Sequence, residues 1–466
     1  MKRRDFVSLV SAAMGTSFVV SCRKDMMTAE MGNNSEIMTA RAGTVVTRYP
    51  LYTPTVVSPV GLTLTAAPGT SDLGGGKISK TWEYNNTFPA PIIKVNRGDN
   101  ASILLQNNLP EETITHWHGM IVSSENDGLP MQAITPGGSY QYNFTINQRA
   151  ALNWYHAHPH MLTGKQVYLG LAGAFIINDA EEASFNLPSG AYEVPLIIRD
   201  ATLDSTGNLS YKPSAGGMFG KIPLVNGTKD PYLNVERAVY RFRILNGSNS
   251  RVMKLALNNN SPFILIGNDG GLLPASSNQL NITMANGERI DVLIDFRTLA
   301  NGTKVMLRDT NAPWDILEFR VNGLNEVAYT GAMSTASSIP LLLNPAITRS
   351  FSFDAMSKIN GKEYDMNRID WTVPFGQTEM WKFIASGGNG PHPVHVHGAS
   401  FQVVSRTGGR GQVFPWEHGW KDTVLLEDGE TISVLIKFDA FHGKYLLHCH
   451  KLEHEDMGMM ANFEVV

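Results

Sequence analysis

Three stretches of the chain follow one pattern, and they restrict the fold more than any other feature. GSYQYNFTI (138–146) leads to NWYHAHPH, GERIDVLIDF (287–296) to KVMLRDTN, and GETISVLIKF (429–438) to KYLLHCHKL. Each is a glycine turn, an alternating strand, a loop and a second strand. Another block recurs upstream of each: ASILLQNNL before HWHG, VYRFRILNGS before RVMKLAL, and MWKFIASGG before HPVHVHG. Such self-similarity means one unit repeated, and short alternating strands between turn signals make that unit a β-sandwich. The chain is therefore read as all-β, with three tandem sandwiches over 45–180, 181–335 and 336–466. The breaks fall near NDAEEASFNLPSG (178–190) and STASSIPLLLNP (334–345). Composition agrees, since 43 Gly and 24 Pro against 17% charged residues suit a turn-rich β protein, and 466 residues exceed one ordinary core.

The segment HCHKLEHEDMGMM (448–460) carries the chemistry. It follows the apolar run KYLLHCH, which reads as a strand, and strand side chains alternate faces with period two. His448 and His450 then point one way and Cys449 the other, so two metal sites share one strand. His454 and Met459 follow. A Cys thiolate with two His and a weak Met is the ligand set of a blue copper electron-transfer site, and HPVHVHG (392–398) supplies the second His.

Of thirteen histidines, ten fall in four clusters: His116 and His118; His156 and His158; His392, His395 and His397; His448, His450 and His454. One His-x-His pair is weak evidence and suits zinc as well as copper. Four in the outer two copies of a β repeat, one flanking a cysteine, point to a built metal centre. The middle copy has Arg251, Met253, Lys304 and Met306 where the others carry histidines, and is read as a spacer without metal. His160, His418 and His442 fit no ligand slot. A net charge of −4 leaves no basic stripe, which argues against nucleic acid as a partner.

Residues 1–22 read as a targeting segment. Arg3 and Arg4 precede an apolar run too short for a membrane span, and twin arginine resembles the export route for prefolded proteins. The run ends Val-Val-Ser-Cys22, similar to a bacterial lipoprotein box with lipid on Cys22; an ordinary cleaved signal is the alternative. Either places the mature protein outside the cytoplasm, in the periplasm, touching a membrane only through an anchor at Cys22. With Cys22 removed or lipidated, Cys449 is a lone thiol, which survives oxidants best when buried or metal-bound. Residues 23–44 are a polar linker with four methionines.

HWHG, WYHAH, HPVHVHG and HCHKLEHEDMGMM, in this order and spacing, resemble three-domain multicopper oxidases of the bacterial laccase, cuprous oxidase and bilirubin oxidase branch. GLAG (170–173) and GWKDTV (419–424) are similar too, and the likeness spans almost all of the chain after the signal. The resemblance implies three cupredoxin-like Greek-key sandwiches and four copper ions. His392, Cys449, His454 and axial Met459 would hold type 1 copper. His116 and His395 would hold type 2, and His118, His156, His158, His397, His448 and His450 the type 3 pair. Four one-electron oxidations at type 1 would then feed reduction of O2 to water at the other three. Glu455 matches the family's acidic proton donor and Asp127 the acid that organises water at type 2, each buried with a raised pKa. Asp422, in GWKDTV, is expected near His392 as a substrate-binding group. An axial Met favours a lower type 1 potential.

One departure bears on substrate. Cuprous oxidases carry a long Met-rich insertion early in the third domain, whereas residues 346–371 here are short and hold two methionines. An open type 1 edge would then admit phenols, aryl amines or bilirubin-like compounds in preference to Cu(I). The rivals are a dedicated cuprous oxidase or copper-tolerance protein, a two-domain-type copper nitrite reductase, and a non-enzymatic structural relative; the family's structural members lack the ligands that this chain retains.

Overall fold

Each of the three repeated strands forms, and each pairs antiparallel with the strand from the block upstream of it. Ser139–Thr145 lies against Asn100–Asn107, Arg289–Asp295 against Val239–Asn246, and Thr431–Lys437 against Thr378–Ile384. These relationships come from a computed structural model that describes residues 46–388 and 390–466. The expected signal (1–22, with Cys22) and linker (23–44) lie outside the described residues. Among those described, no helix is long and apolar enough to cross a membrane.

Among the described residues six sheets result, two to each sandwich. Each sandwich also repeats a parallel pairing: Val60–Asp72 with Asn100–Asn107, Glu193–Ala201 with Val239–Asn246, and Ile347–Asp354 with Thr378–Ile384. Three large apolar cores fill them, built around Trp117, Phe242 and Trp381. The sandwiches exchange pieces at their borders. Tyr49 and Pro50, read above as the start of the first sandwich, pair in parallel with Pro231 and Tyr232 of the middle one. Trp416, from the third, packs into the middle core.

The strand Gly443–Cys449 is buried on both faces, which explains why it reads as a continuous apolar run rather than an alternating one. Tyr445, Leu447 and Cys449 enter the core of the third sandwich. On the other face Leu446 packs with Leu129 of the first sandwich. The short helix Leu452–Asp456 that follows is tied to both other sandwiches. Glu453 accepts from Asn249 Nδ2 (2.8 Å) and Met218 N (3.0 Å), and Asp456 from Thr163 N (2.9 Å) and Gly164 N (2.8 Å).

Candidate metal centre

Alternation along two neighbouring strands sorts the ligands. In His392–Val396, His392 and Val394 share one face while His395 lies on the other, and Val394 pairs with Cys449, His395 with His448. His392 therefore meets Cys449 on the core side. Cys449 Sγ lies 3.6 Å from His392 Nδ1 and 3.9 Å from His454 Nδ1, and the two nitrogens are 3.4 Å apart. A trigonal ion bonded at about 2.0–2.1 Å to nitrogen and about 2.3 Å to sulfur spans edges of about 3.5 and 3.8 Å. The triangle fits one ion. Met459 is buried in the same core and its carbonyl accepts from Cys449 N (3.0 Å). Lys451 N donates to the sulfur (3.4 Å). Burial pushes the Cys449 thiol up to about 12, so the free thiol stays protonated at neutral pH, and only a cation bound to it would displace the proton.

On the opposite side, eight imidazoles, carried on four strands or just past their ends, meet at the border of the first and third sandwiches. Thr115–His118 pairs with Ala151–Ala157, setting His116 across from His156. Most of these rings have one nitrogen committed. His116 Nδ1 donates to Asp127 O (2.7 Å), His395 Nδ1 to Asp422 O (2.8 Å), His397 Nδ1 to Asp127 Oδ2 (2.7 Å) and His156 Nδ1 to Ala157 O (3.0 Å). Such bonds fix the tautomer and leave Nε2 with a lone pair. His118 is inverted: Nε2 donates to Asp422 Oδ1 (3.0 Å), leaving Nδ1 free. The free nitrogens converge, His116 Nε2 at 3.4 Å from His395 Nε2 and His397 Nε2 at 3.0 Å from His448 Nε2.

Facing lone pairs repel, and a buried nitrogen without a partner costs about 1–3 kcal/mol. Yet His118 Nδ1, His156 Nε2 and both nitrogens of His158 and His450 are buried without a hydrogen-bond partner among the described residues. Protons do not resolve this, because burial holds the rings neutral, His158 at about 4, His156 at about 3 and His116, His118, His395, His397 and His450 well below their ordinary value. Cations do. Among the described residues the histidine groups close enough to share an ion include His116 with His395 and His397, His116 with His118 and His156, and His158 with His397 and His448. Soft thiolate beside imidazole on one face and imidazole alone on the other is a donor set suited to copper.

The three acids differ from one another. Asp127 is fully buried between His116 and His397, and burial raises its pKa well above the usual range, as expected. Glu455 is equally buried, 3.2 Å from His448 Nδ1 and 3.6 Å from His158 Nε2. Burial pushes its carboxyl up, but those imidazoles pull it down to about 2, against the raised value expected for it. Asp422 is misplaced by the sequence reading. It is held at the imidazole cluster by His118 and, through two contacts, by Arg289, on the side of the strand pair away from Cys449. Its neighbour Thr423 pairs with His395, while His392 pairs with Leu426 further along the strand.

The expected open edge at His392 is also corrected. His392 and His454 are both fully buried. The Phe353 ring lies 5.9 Å from that of His392. Phe353 belongs to residues 346–371, and the same segment also reaches the turn before Met459, where Tyr364 N donates to Gly458 O (2.9 Å). His160 is half-buried against Tyr364, and His418 and His442 are exposed. None of the three joins a histidine group.

The middle sandwich supplies what sequence reasoning missed. It has no ligand, but its turn at residues 286–289 enters the cluster. Gly287 takes a φ of +85°, and a Cβ there would lie 3.2 Å from the His450 ring and 3.3 Å from His118 Cε1. Asn286 Nδ2 donates to the His450 carbonyl and to Asn249 O. Arg289 is fully buried and donates to Leu152 O (2.9 Å) and Gly287 O (2.9 Å) besides Asp422. The available signal was an arginine at the head of a buried strand, where the other repeats have Tyr140 and Thr431.

Multicopper oxidase family models match residues 65–182 and 335–466. The chain is 36% identical over 411 residues to the multicopper oxidase mco of Staphylococcus haemolyticus, covering 86% of this chain and 88% of that protein. It is 33% identical to a laccase of Bacillus subtilis, over 83% of this chain and 90% of the other. The crystal structure of the multicopper oxidase McoA from Aquifex aeolicus superposes with a TM-score of 0.84 at 35% identity, over 90% of this chain and 100% of that one.

Proposed function

The chain belongs to the multicopper oxidase family, and from that premise we propose that it is a laccase-type oxidase. It couples four one-electron oxidations of a small donor to the reaction O2 + 4 e− + 4 H+ → 2 H2O. The observation that carries this reading is the strand Gly443–Cys449 with His450, which joins the two ligand sets through adjacent residues. Four copper ions supply the one-electron redox chemistry when bound, one at His392, Cys449, His454 and Met459, the others among the eight remaining imidazoles.

The chain's own groups do the rest. The peptide links between Cys449 and its neighbours His448 and His450 make the electron path between the two sites one residue long. Asp422 and Arg289 hold His118 with Nδ1 toward the cluster. Asp127, whose pKa burial raises, lies beside His116 and His397, and its Oδ1 has no hydrogen-bond partner among the described residues. Glu455, ionised beside His448 and His158, passes protons in from the other side. Phenols and aryl amines are the favoured donors, since residues 346–371 bring only Met356 and Met366 as soft ligands for Cu(I). Residues 1–22 support export and lipid anchoring at Cys22 in the periplasm.

The test is oxygen uptake by copper-loaded protein with a phenolic donor and, separately, with Cu(I), alongside its visible spectrum. Strong phenol turnover with weak Cu(I) turnover by a blue protein is expected. Dominant Cu(I) turnover would make it a cuprous oxidase, and a blue protein consuming no oxygen with either donor would leave only copper binding.

A further inference from the structure

Between the ligands Cys449 and His454 the chain places a lysine, and it is buried. Lys451 is 3% exposed, although lysines are almost never taken fully out of water. Its backbone is bonded to both ligands. Lys451 N donates to Cys449 Sγ (3.4 Å), and Lys451 O accepts from His454 N (2.8 Å). Its side chain runs past the middle sandwich to the loop that leads into the third ligand. A Cβ at Gly217 would lie 3.3 Å from Lys451 Cδ, and one at Gly390, two residues before His392, would lie 3.6 Å from Nζ. The lysine is thus anchored at Cys449 and His454 and ends beside the approach to His392.

Its charge reaches all three ligands. After burial, the strongest influence on the pKa of His392, of His454 and of Cys449 is in each case Lys451, which pulls every one of them down. Burial lowers the pKa of Lys451 itself, and Cys449, Glu453 and Asp428 act against that. Both acids are also engaged by other donors. Glu453 accepts from Tyr211 Oη (3.2 Å) besides Asn249 and Met218, and Asp428 Oδ2 accepts from Gly390 N (3.3 Å). Charges act more strongly on one another where water is excluded. An ion held by these ligands gains one positive charge on oxidation, and a buried ammonium opposes that gain.

We infer that the Lys451 ammonium raises the reduction potential of copper held by His392, Cys449, His454 and Met459, against the lowering that an axial Met brings, and so widens the range of phenols the protein oxidises. The effect on potential requires only copper at these four residues. The consequence for phenols rests on the oxidase reading.

Anaerobic redox titration of the blue band of copper-loaded protein, against a one-electron mediator, tests this. Lys451→Met and Lys451→Gln should each shift the equilibrium by about tenfold or more toward reduced mediator and oxidised protein's retention of Cu(II), about 59 mV for one electron, without moving the band. Lys451→Arg keeps the charge and should keep the native potential. Lys451→Gln, polar and of similar reach, keeps the test standing if Lys451→Met fails to fold or to hold copper. An unchanged or higher potential in the neutral variants, or an equal fall in Lys451→Arg, would overturn the inference and leave Lys451 a packing residue. A blue band whose potential follows the charge at residue 451, in a protein that consumes no oxygen, would keep the inference and lose the oxidase. Normal oxygen uptake with a potential indifferent to that charge would do the reverse.

Discussion

Arg289 Nη1 lies 2.7 Å from Asp422 Oδ1, joining a middle sandwich that contributes no metal ligand to the acid that sets the tautomer of His118. Both partners are buried. The pair makes the middle sandwich part of the metal centre's support rather than a spacer.

Removing one member of a buried ion pair leaves the other uncompensated, at about 3–5 kcal/mol. Arg289→Met should therefore destabilise the protein by that order in denaturant unfolding and lower the copper held by the cluster, while the blue absorption from Cys449 persists. Unchanged copper content and stability would show that Asp422 does not need Arg289.

Gly287→Ala should act at the same place by sterics. A φ of +85° costs an alanine about 1–2 kcal/mol, and its Cβ would press on the His450 ring. Metal analysis should find copper lost from the cluster before the blue site. Full copper content with full oxygen uptake would contradict this.

The metal-free protein should weaken in mild acid. The buried imidazoles have folded pKa values below the ordinary 6.5, about 4 for His158 and His392 and about 3 for His156. Below pH 6.5 the unfolded chain therefore binds more protons than the folded one, and stability falls as pH drops toward 4. Each such group contributes up to about 1.4 kcal/mol per pH unit. Melting temperature followed from pH 7 to 5, above the ordinary carboxylate range, should fall steadily; a flat profile would mean the rings are charged when folded.

Glu455→Gln should separate the two halves of the reaction. Bleaching of the blue band by donor without oxygen should be unchanged, while its return on mixing with oxygen slows by about a hundredfold or more. If bleaching slows instead, Glu455 serves the donor side.

What was legible in the sequence is what local rules decide. Period two places Cys449 opposite His448 and His450 whatever surrounds the strand, and the glycine-led repeats mark strands that do pair with their upstream blocks. The misreadings concern contacts between distant segments. Asp422, in GWKDTV, is expected near His392; its position beside Thr423, which pairs with His395, puts it at the cluster. Arg289 was invisible because its partner lies 133 residues away, in another sandwich. The pKa of Glu455 departed from expectation because burial alone raises it, and only the folded arrangement brings His158 and His448 beside it.

The central claim is that four electrons, passed one at a time from one site, reduce each dioxygen at the other. Its most direct test is the ratio of donor oxidised to oxygen consumed by copper-loaded protein, with peroxide measured in the same vessel. Four equivalents of a one-electron donor per O2, with no peroxide, is the predicted result, and Cys449→Ser should abolish both the blue colour and the uptake. Two equivalents per O2 with accumulating peroxide, or uptake that survives Cys449→Ser, would contradict it.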